Sequence, residues 1–295
     1  MKSAVQTRPR AAIAAADLSE LVKARLSLLA LATAMAGFAL GVQEAWSWLL
    51  LAATLAGTAL SAAGAAALNQ WWERDLDARM KRTRERPLPA GRMTASDALL
   101  AGSVLSVSGI LLLALFANLL AATLAALTIV FYILVYTPLK RITPLNTIIG
   151  AVPGALPPLI GWTAARGAIN AEGLTLFAIL FLWQMPHFLA IAWLYRADYA
   201  QAGFKMLSEK DESGVVTGRQ AFIYALALLA VSLLPSVFFD YSATYFYGAL
   251  VLGTAFAATA ANFAVSGGSI PAARWLFLAS IAYLPLLLGL MVLAR

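Results

Sequence analysis

Asn69, Glu73 and Asp77 are spaced four residues apart in the run AALNQWWERDLDARM, at the end of an otherwise apolar segment. Positions i, i+4 and i+8 project from one face of an α-helix, so three oxygen-bearing side chains would share one flank. Two carboxylates at a membrane surface cost free energy unless a cation neutralises them, and hard oxygen ligands suit Mg2+. Asp75 falls off that face by two residues and is as well placed to hold Arg74 or Arg79 as a metal. The next residues reverse the charge: Lys81-Arg82-Thr83-Arg84-Glu85-Arg86-Pro87. Arg82 and Arg86 are four apart, arginine suits bidentate phosphate contact, and backbone N–H groups of a turn at Pro87–Gly91 would add to it. A metal-binding acidic face beside a basic loop fits a Mg2+-bound diphosphate. The plainer alternative is a mixed-charge surface loop, against which Asn69 and Glu73 lie within the helix register.

Three other segments carry polar chemistry. In YRADYAQAGFKM (195–206), Asp198 stands near the end of an apolar run as Glu73 and Asp77 do, although Ala202 stands where a second acid would fall. A facing acid there would let metal ions bridge the same phosphates; a plain helix end, with Arg196 complementing the dipole, is the other reading. In FLWQMPHF (181–188), Pro186 removes a backbone donor and Gln184 and His187 share a face three residues apart. Both are expected to line a cavity, with iron ligation by His187 and a simple interior hydrogen bond as alternatives. In YTPLKRITPLN (136–146), Lys140 and Arg141 are either membrane anchors or contacts to an anionic substrate. The GAVPGALPP run that follows is expected to be a broken helix lining a cavity or packed in protein.

These residues need a membrane scaffold. The 295 residues are 62% hydrophobic and 12% charged, against about 25% charge in soluble domains. Cysteine is absent and His187 is the single histidine, which excludes disulfides, iron–sulfur clusters, thiolate chemistry and the usual multi-histidine zinc site. The +7 charge does not call for nucleic acid, because its distribution sets topology. Nine apolar runs are long enough to span a bilayer, roughly 24–43, 46–69, 97–117, 119–137, 144–164, 172–195, 220–239, 243–265 and 273–294. None alternates as a barrel strand would.

With the N-terminus inside, 19 of the 21 Lys and Arg residues fall on the inner side and only Arg166 and Arg295 outside. The N-terminus is thus read as cytosolic and the C-terminus as outside. Residues 1–23 lack a signal-peptide pattern and are read as a soluble, partly disordered cytosolic arm. The two longest loops, 72–96 and 196–219, follow spans of the same orientation four spans apart. The expected fold is all-α and polytopic: two four-helix repeats and a ninth helix around a central cavity, forming one domain over 24–295.

The runs NQWWERDLDARMKRTRERPLPAGR, YTPLKRITPLNTIIGAVPGALPPLIGW and WQMPHFLAIAWLYRADYAQAGFKML, in this order on nine spans, resemble the UbiA-type intramembrane prenyltransferases, most closely the branch that farnesylates protohaem. The resemblance places the N-x-x-x-D-x-x-x-D motif on Asn69, Glu73 and Asp77, with glutamate in the middle place. It places R-T-x-x-R-P-L on Arg82, Thr83, Arg86, Pro87 and Leu88, and half of the second acidic motif on Asp198. The D-Y-x-x-A-G run that includes Tyr199, and the W-Q-x-P-H-F run around Gln184 and His187, mark the haem branch. The resemblance implies transfer of farnesyl from farnesyl diphosphate to a vinyl group of haem B, with Mg2+ on Asn69, Glu73, Asp77 and Asp198.

On this reading Arg82, Arg86, Lys140, Arg141, Asn146, Gln184, His187 and Tyr199 form the substrate-binding set. His187 is expected to line the haem pocket without being an obligatory iron ligand, since a straight helix would put it about 16 Å along the axis from Asp198. The implied setting is a bacterial inner membrane, with lipid and the downstream haem A synthase as partners. Rival readings are another aromatic or quinone-precursor prenyltransferase of the same family, a transporter, or a non-catalytic haem-binding protein.

Overall fold

The computed structural model describes residues 15–43 and 45–295, so the first fourteen residues of the expected arm lie outside it. Among the described residues the regular elements are all helices: α1 (Ala15–Leu21), α2 (Ala24–Gly41), α3 (Trp48–Asp77), α4 (Ala95–Phe116), α5 (Leu119–Leu139), α6 (Asn146–Arg166), α7 (Ala171–Leu194), α8 (Arg196–Gln201), α9 (Leu207–Lys210), α10 (Val215–Phe238), α11 (Ala243–Val265) and α12 (Ile270–Leu293). Eight of them, α3 to α7 and α10 to α12, are long and apolar enough to cross a membrane. The first expected span is α2, whose apolar part is the shorter stretch Ser27–Gly41. Its 18 residues reach about 27 Å, close to the roughly 30 Å hydrocarbon core. The molecule is thus an all-α integral membrane protein.

Short polar caps start several long helices. Ser47, Thr94, Asn118 and Asn170 accept a backbone N–H three residues on, satisfying a donor that the helix leaves unpaired. The packing repeats with an offset of four spans. The α3–α4 pair recurs as α7–α10, α4–α5 as α10–α11, and α5–α6 as α11–α12. The ninth span, α12, closes against α7 and α2.

Close approach between helices rests on small residues, the usual device where lipid offers no hydrophobic driving force. Gly57, Ser61 and Gly64 of α3 meet Gly102, Ser106 and Gly109 of α4. Where α2 crosses α6, a Cβ on Gly37 or Gly161 would run into the carbonyls of Pro158 or Ala34.

The expected break in the fifth span is absent. α6 runs unbroken through Pro153, Pro157 and Pro158, and is the most deeply buried of the eight spans. Packing against α2, α3, α5 and α7 keeps it continuous, so the prolines mark burial within protein. α7 likewise continues through Pro186. The departure from regular geometry lies in α5, where Phe131–Tyr136 form a π-helical stretch and Thr137 N–H bonds back five residues to Tyr132 O.

Candidate functional site

α3 has 30 residues and spans about 45 Å, more than a bilayer core needs. Its surplus is the stretch bearing Asn69, Glu73 and Asp77. All three are buried, at 1%, 4% and 1% exposure, so the shared face expected from their spacing turns inward.

All three side chains on that face have polar partners. Asn69 Nδ2 donates to Glu73 Oε2 (3.0 Å) and to Thr137 Oγ1 (3.1 Å). Lys140 Nζ donates to both oxygens of Glu73, at 2.8 and 2.9 Å. Arg86 Nη1 lies 2.7 Å from Asp77 Oδ2, and Thr83 Oγ1 donates to Asp77 O at 2.8 Å. Asn69 Oδ1 accepts from Lys23 Nζ (2.9 Å) and from Tyr132 OH (3.4 Å). Burial alone would lower the pKa of the Lys140 ammonium, but the charge of Glu73 outweighs it and pushes the group well above the ordinary lysine range. Lys140 therefore stays charged, 4.6 Å from the centre of the Tyr136 ring.

Lys23, Tyr132 and Thr137 were not among the residues expected from sequence. Tyr132 and Thr137 belong to the irregular part of α5, where π-type turns often accompany functional sites. Lys23 sits between α1 and α2 with φ 49° and ψ 51°, a left-handed conformation uncommon outside glycine. It is held there because α1 docks on α3: Gln70 Nε2 donates to Glu20 O and Leu21 O, both at 2.8 Å. Leu21 is fully buried with Ala67, Leu88, Met93 and Ala98, and Arg92 Nε lies 2.8 Å from Asp17 Oδ1. The end of the N-terminal segment is therefore folded onto the site. Gln70→Leu would remove that donor from both carbonyls, and although Glu20 O keeps the Lys23 N–H, a buried carbonyl left unsatisfied costs about 1–3 kcal/mol. Faster amide hydrogen exchange over residues 15–23 is the expected readout.

Three inter-span loops meet beside this face. Lys205 N donates to Lys140 O (2.7 Å), and Asn146 Nδ2 donates to Thr143 O and Lys205 O, both at 2.7 Å. Asn146 thus ties two loops together through its donors, while its buried Oδ1 is unpartnered. Met80 packs with Ala202 and Phe204, and Tyr199 lies against them. Arg82 is exposed, its guanidinium 5.8 Å from the Tyr195 ring, and Arg141 is exposed at the rim. Asp198 is part-buried on α8 and shares no hydrogen bond or ion pair with the triad.

Among the described residues no group of three His, Cys, Asp or Glu side chains is gathered to hold a metal. The triad alone offers one amide oxygen and two carboxylates, a hard donor set. Its present neutralisation by Lys23, Lys140 and Arg86 shows that the face demands positive charge.

Gln184 and His187 lie deeper. Gln184 Nε2 donates to Leu180 O (3.0 Å) and Ala151 O (3.3 Å), in the seam between α6 and α7. His187 faces α12, with Nδ1 2.7 Å from Ser280 Oγ.

The model of the UbiA prenyltransferase family matches residues 30–282. A protoheme IX farnesyltransferase of Solibacter usitatus is 44% identical over 95% of this chain and 98% of its own. That of Opitutus terrae is 44% identical over 99% and 98%. The mitochondrial one of Arabidopsis thaliana is 42% identical over 94% of this chain and 64% of its own. Among solved structures, a digeranylgeranylglyceryl phosphate synthase superposes with a TM-score of 0.79 at 16% identity, over 95% of this chain and 97% of the other. A UbiA homologue from Archaeoglobus fulgidus bound to GPP and Mg2+ gives 0.67 at 13%, over 93% and 99%. At such identities these two show the fold alone. The match to the family model and the near-full-length identity to curated relatives place this chain in the UbiA prenyltransferase family.

Proposed function

We propose that this chain transfers the farnesyl group of farnesyl diphosphate to a vinyl group of protohaem IX, with water completing a hydroxyethylfarnesyl side chain and diphosphate leaving. The observation that carries this reading is the 44% identity, over nearly the whole of both chains, to relatives bearing that activity in their names. The site geometry supports it. Farnesyl transfer breaks an allylic C–O bond, and negative charge grows on the departing diphosphate. Lys23, Lys140 and Arg86 converge on one buried face, and fixed cations in a dehydrated site stabilise such charge.

Asn69, Glu73, Asp77 and Asp198 are the proposed holders of Mg2+, whose contribution when bound is to neutralise the diphosphate. Arg82 and Arg141 have no ion-pair partner among the described residues and remain available to diphosphate or to haem propionates. Tyr199 joins the same wall, and the apolar bundle keeps bulk water from the allylic cation. Asn146 serves the site by joining its loops, and Gln184 by fixing α7 against α6.

Residues 24–295 are the proposed catalytic domain, in a bacterial inner membrane with the N-terminus in the cytosol and the C-terminus outside. The crowding of Lys and Arg onto one side supports that orientation. Because the product haem stays in the membrane, haem A synthase is the proposed partner for its hand-over. Purified protein incubated with haem B, farnesyl diphosphate and Mg2+ is expected to yield haem O by mass. No product under those conditions would overturn the reading.

A further inference from the structure

Ser280 on α12 decides which nitrogen of His187 is free. Ser280 Oγ lies 2.6 Å from Phe277 O, and a carbonyl can only accept, so the one hydroxyl hydrogen points there. The 2.7 Å contact between Ser280 Oγ and His187 Nδ1 must then run the other way, with Nδ1–H donating. Nε2 is left as a bare lone pair, without a hydrogen-bond partner among the described residues. The imidazole is only partly buried, so that nitrogen is not sealed into the core.

The ring is fixed in orientation as well as in tautomer. It stacks on Trp183 with centroids 5.2 Å apart and planes 25° apart, and lies 5.1 Å from Phe277. Phe188 meets it edge-on at 5.7 Å. Trp183 Nε1 donates to Ser280 O at 2.7 Å, so the same residue places the histidine through its side chain and the tryptophan through its backbone. Ser280 itself is fully buried. A neutral imidazole whose other N–H is donated to a fixed acceptor is how proteins prepare a metal-ligating histidine. Apolar aromatic walls also suit a planar macrocycle. No other imidazole and no thiolate exists in the chain to take that role.

The separation of about 16 Å along an axis between His187 and Asp198 holds only for a continuous helix. Instead α7 ends at Leu194, Tyr195 (φ −111°, ψ 23°) turns the chain, and Asp198 belongs to α8.

We propose that His187 Nε2 is the axial ligand through which the site holds the iron of its haem substrate, with Ser280 as the positioning residue that fixes its tautomer. This rests on the haem reading above. The test is to titrate ferric haem B into the full-length protein in lipid nanodiscs, without farnesyl diphosphate, and record absorption and electron paramagnetic resonance spectra. The wild type is expected to give a histidine-type spectrum. His187→Ala should bind haem at least about tenfold more weakly, lose that spectrum and regain it with added imidazole. Ser280→Ala keeps the imidazole, so it decides the case if His187→Ala does not fold. It should lower the iron–histidine stretching frequency in the ferrous resonance Raman spectrum, since Nδ1–H loses its acceptor. A spectrum unchanged by His187→Ala, or a stretch unchanged by Ser280→Ala, would overturn the inference while leaving haem as substrate. Failure of the wild type to bind haem at all would overturn the substrate reading itself.

Discussion

Glu73→Gln is expected to lower farnesyl transfer by about two to three orders of magnitude, the scale seen when one fixed electrostatic group is removed from an active site. The substitution keeps the size of the side chain and removes its charge. It also strands Lys140, whose side chain is 13% exposed and whose ammonium is bonded to both oxygens of Glu73. Breaking such a buried pair costs about 3 kcal/mol, so a stability loss accompanies the loss of activity. The double variant Glu73→Gln/Lys140→Gln separates the two effects. Its melting temperature should recover part of the loss, because no lone charge remains, while turnover stays low. Normal haem O formation by Glu73→Gln at limiting Mg2+ would remove this carboxylate from the proposed machinery. Asp77→Asn is the parallel case, with Arg86 as the stranded cation.

Arg86→Ala should weaken farnesyl diphosphate binding by about ten- to a hundredfold, the range of one charge-assisted hydrogen bond. Farnesol, which presents the same tail without the charge, should bind as it does to the wild type. The contrast is sharpened by Asp77: without Arg86 its buried carboxylate faces an incoming anion uncompensated. Equal losses for both ligands, measured by competition in detergent, would instead make Arg86 a brace for the loop.

The spans and the acidic face were readable from sequence because each depends on local periodicity. Apolar runs of bilayer length became α3 to α7 and α10 to α12, and four-residue spacing put Asn69, Glu73 and Asp77 on one buried flank. Contacts between distant segments were not readable. Lys23 reaches Asn69 across 46 positions, and nothing in KARL announces that Gln70 will hold the preceding turn in place. Tyr132 and Thr137 looked like ordinary residues of an apolar helix until the π-helical stretch brought both to Asn69. Ser280 could not be joined to His187 from spacing, since 93 residues separate them. The prolines of α6 misled for the opposite reason: local propensity predicts a break, and four neighbouring helices override it.

The π-helical stretch also makes the site sensitive to chain length. One α-helical residue turns the chain by about 100° while advancing it only about 1.5 Å. A chain one residue shorter across 131–136 would still cross the same thickness of lipid and keep the same hydropathy. It would, however, rotate Thr137 and Lys140 away from Asn69 and Glu73, the residues they now reach. Relatives differing by a single gap at this point would be indistinguishable in membrane topology and would present different donors to the acidic face. A counting error of one residue there is a change of chemistry.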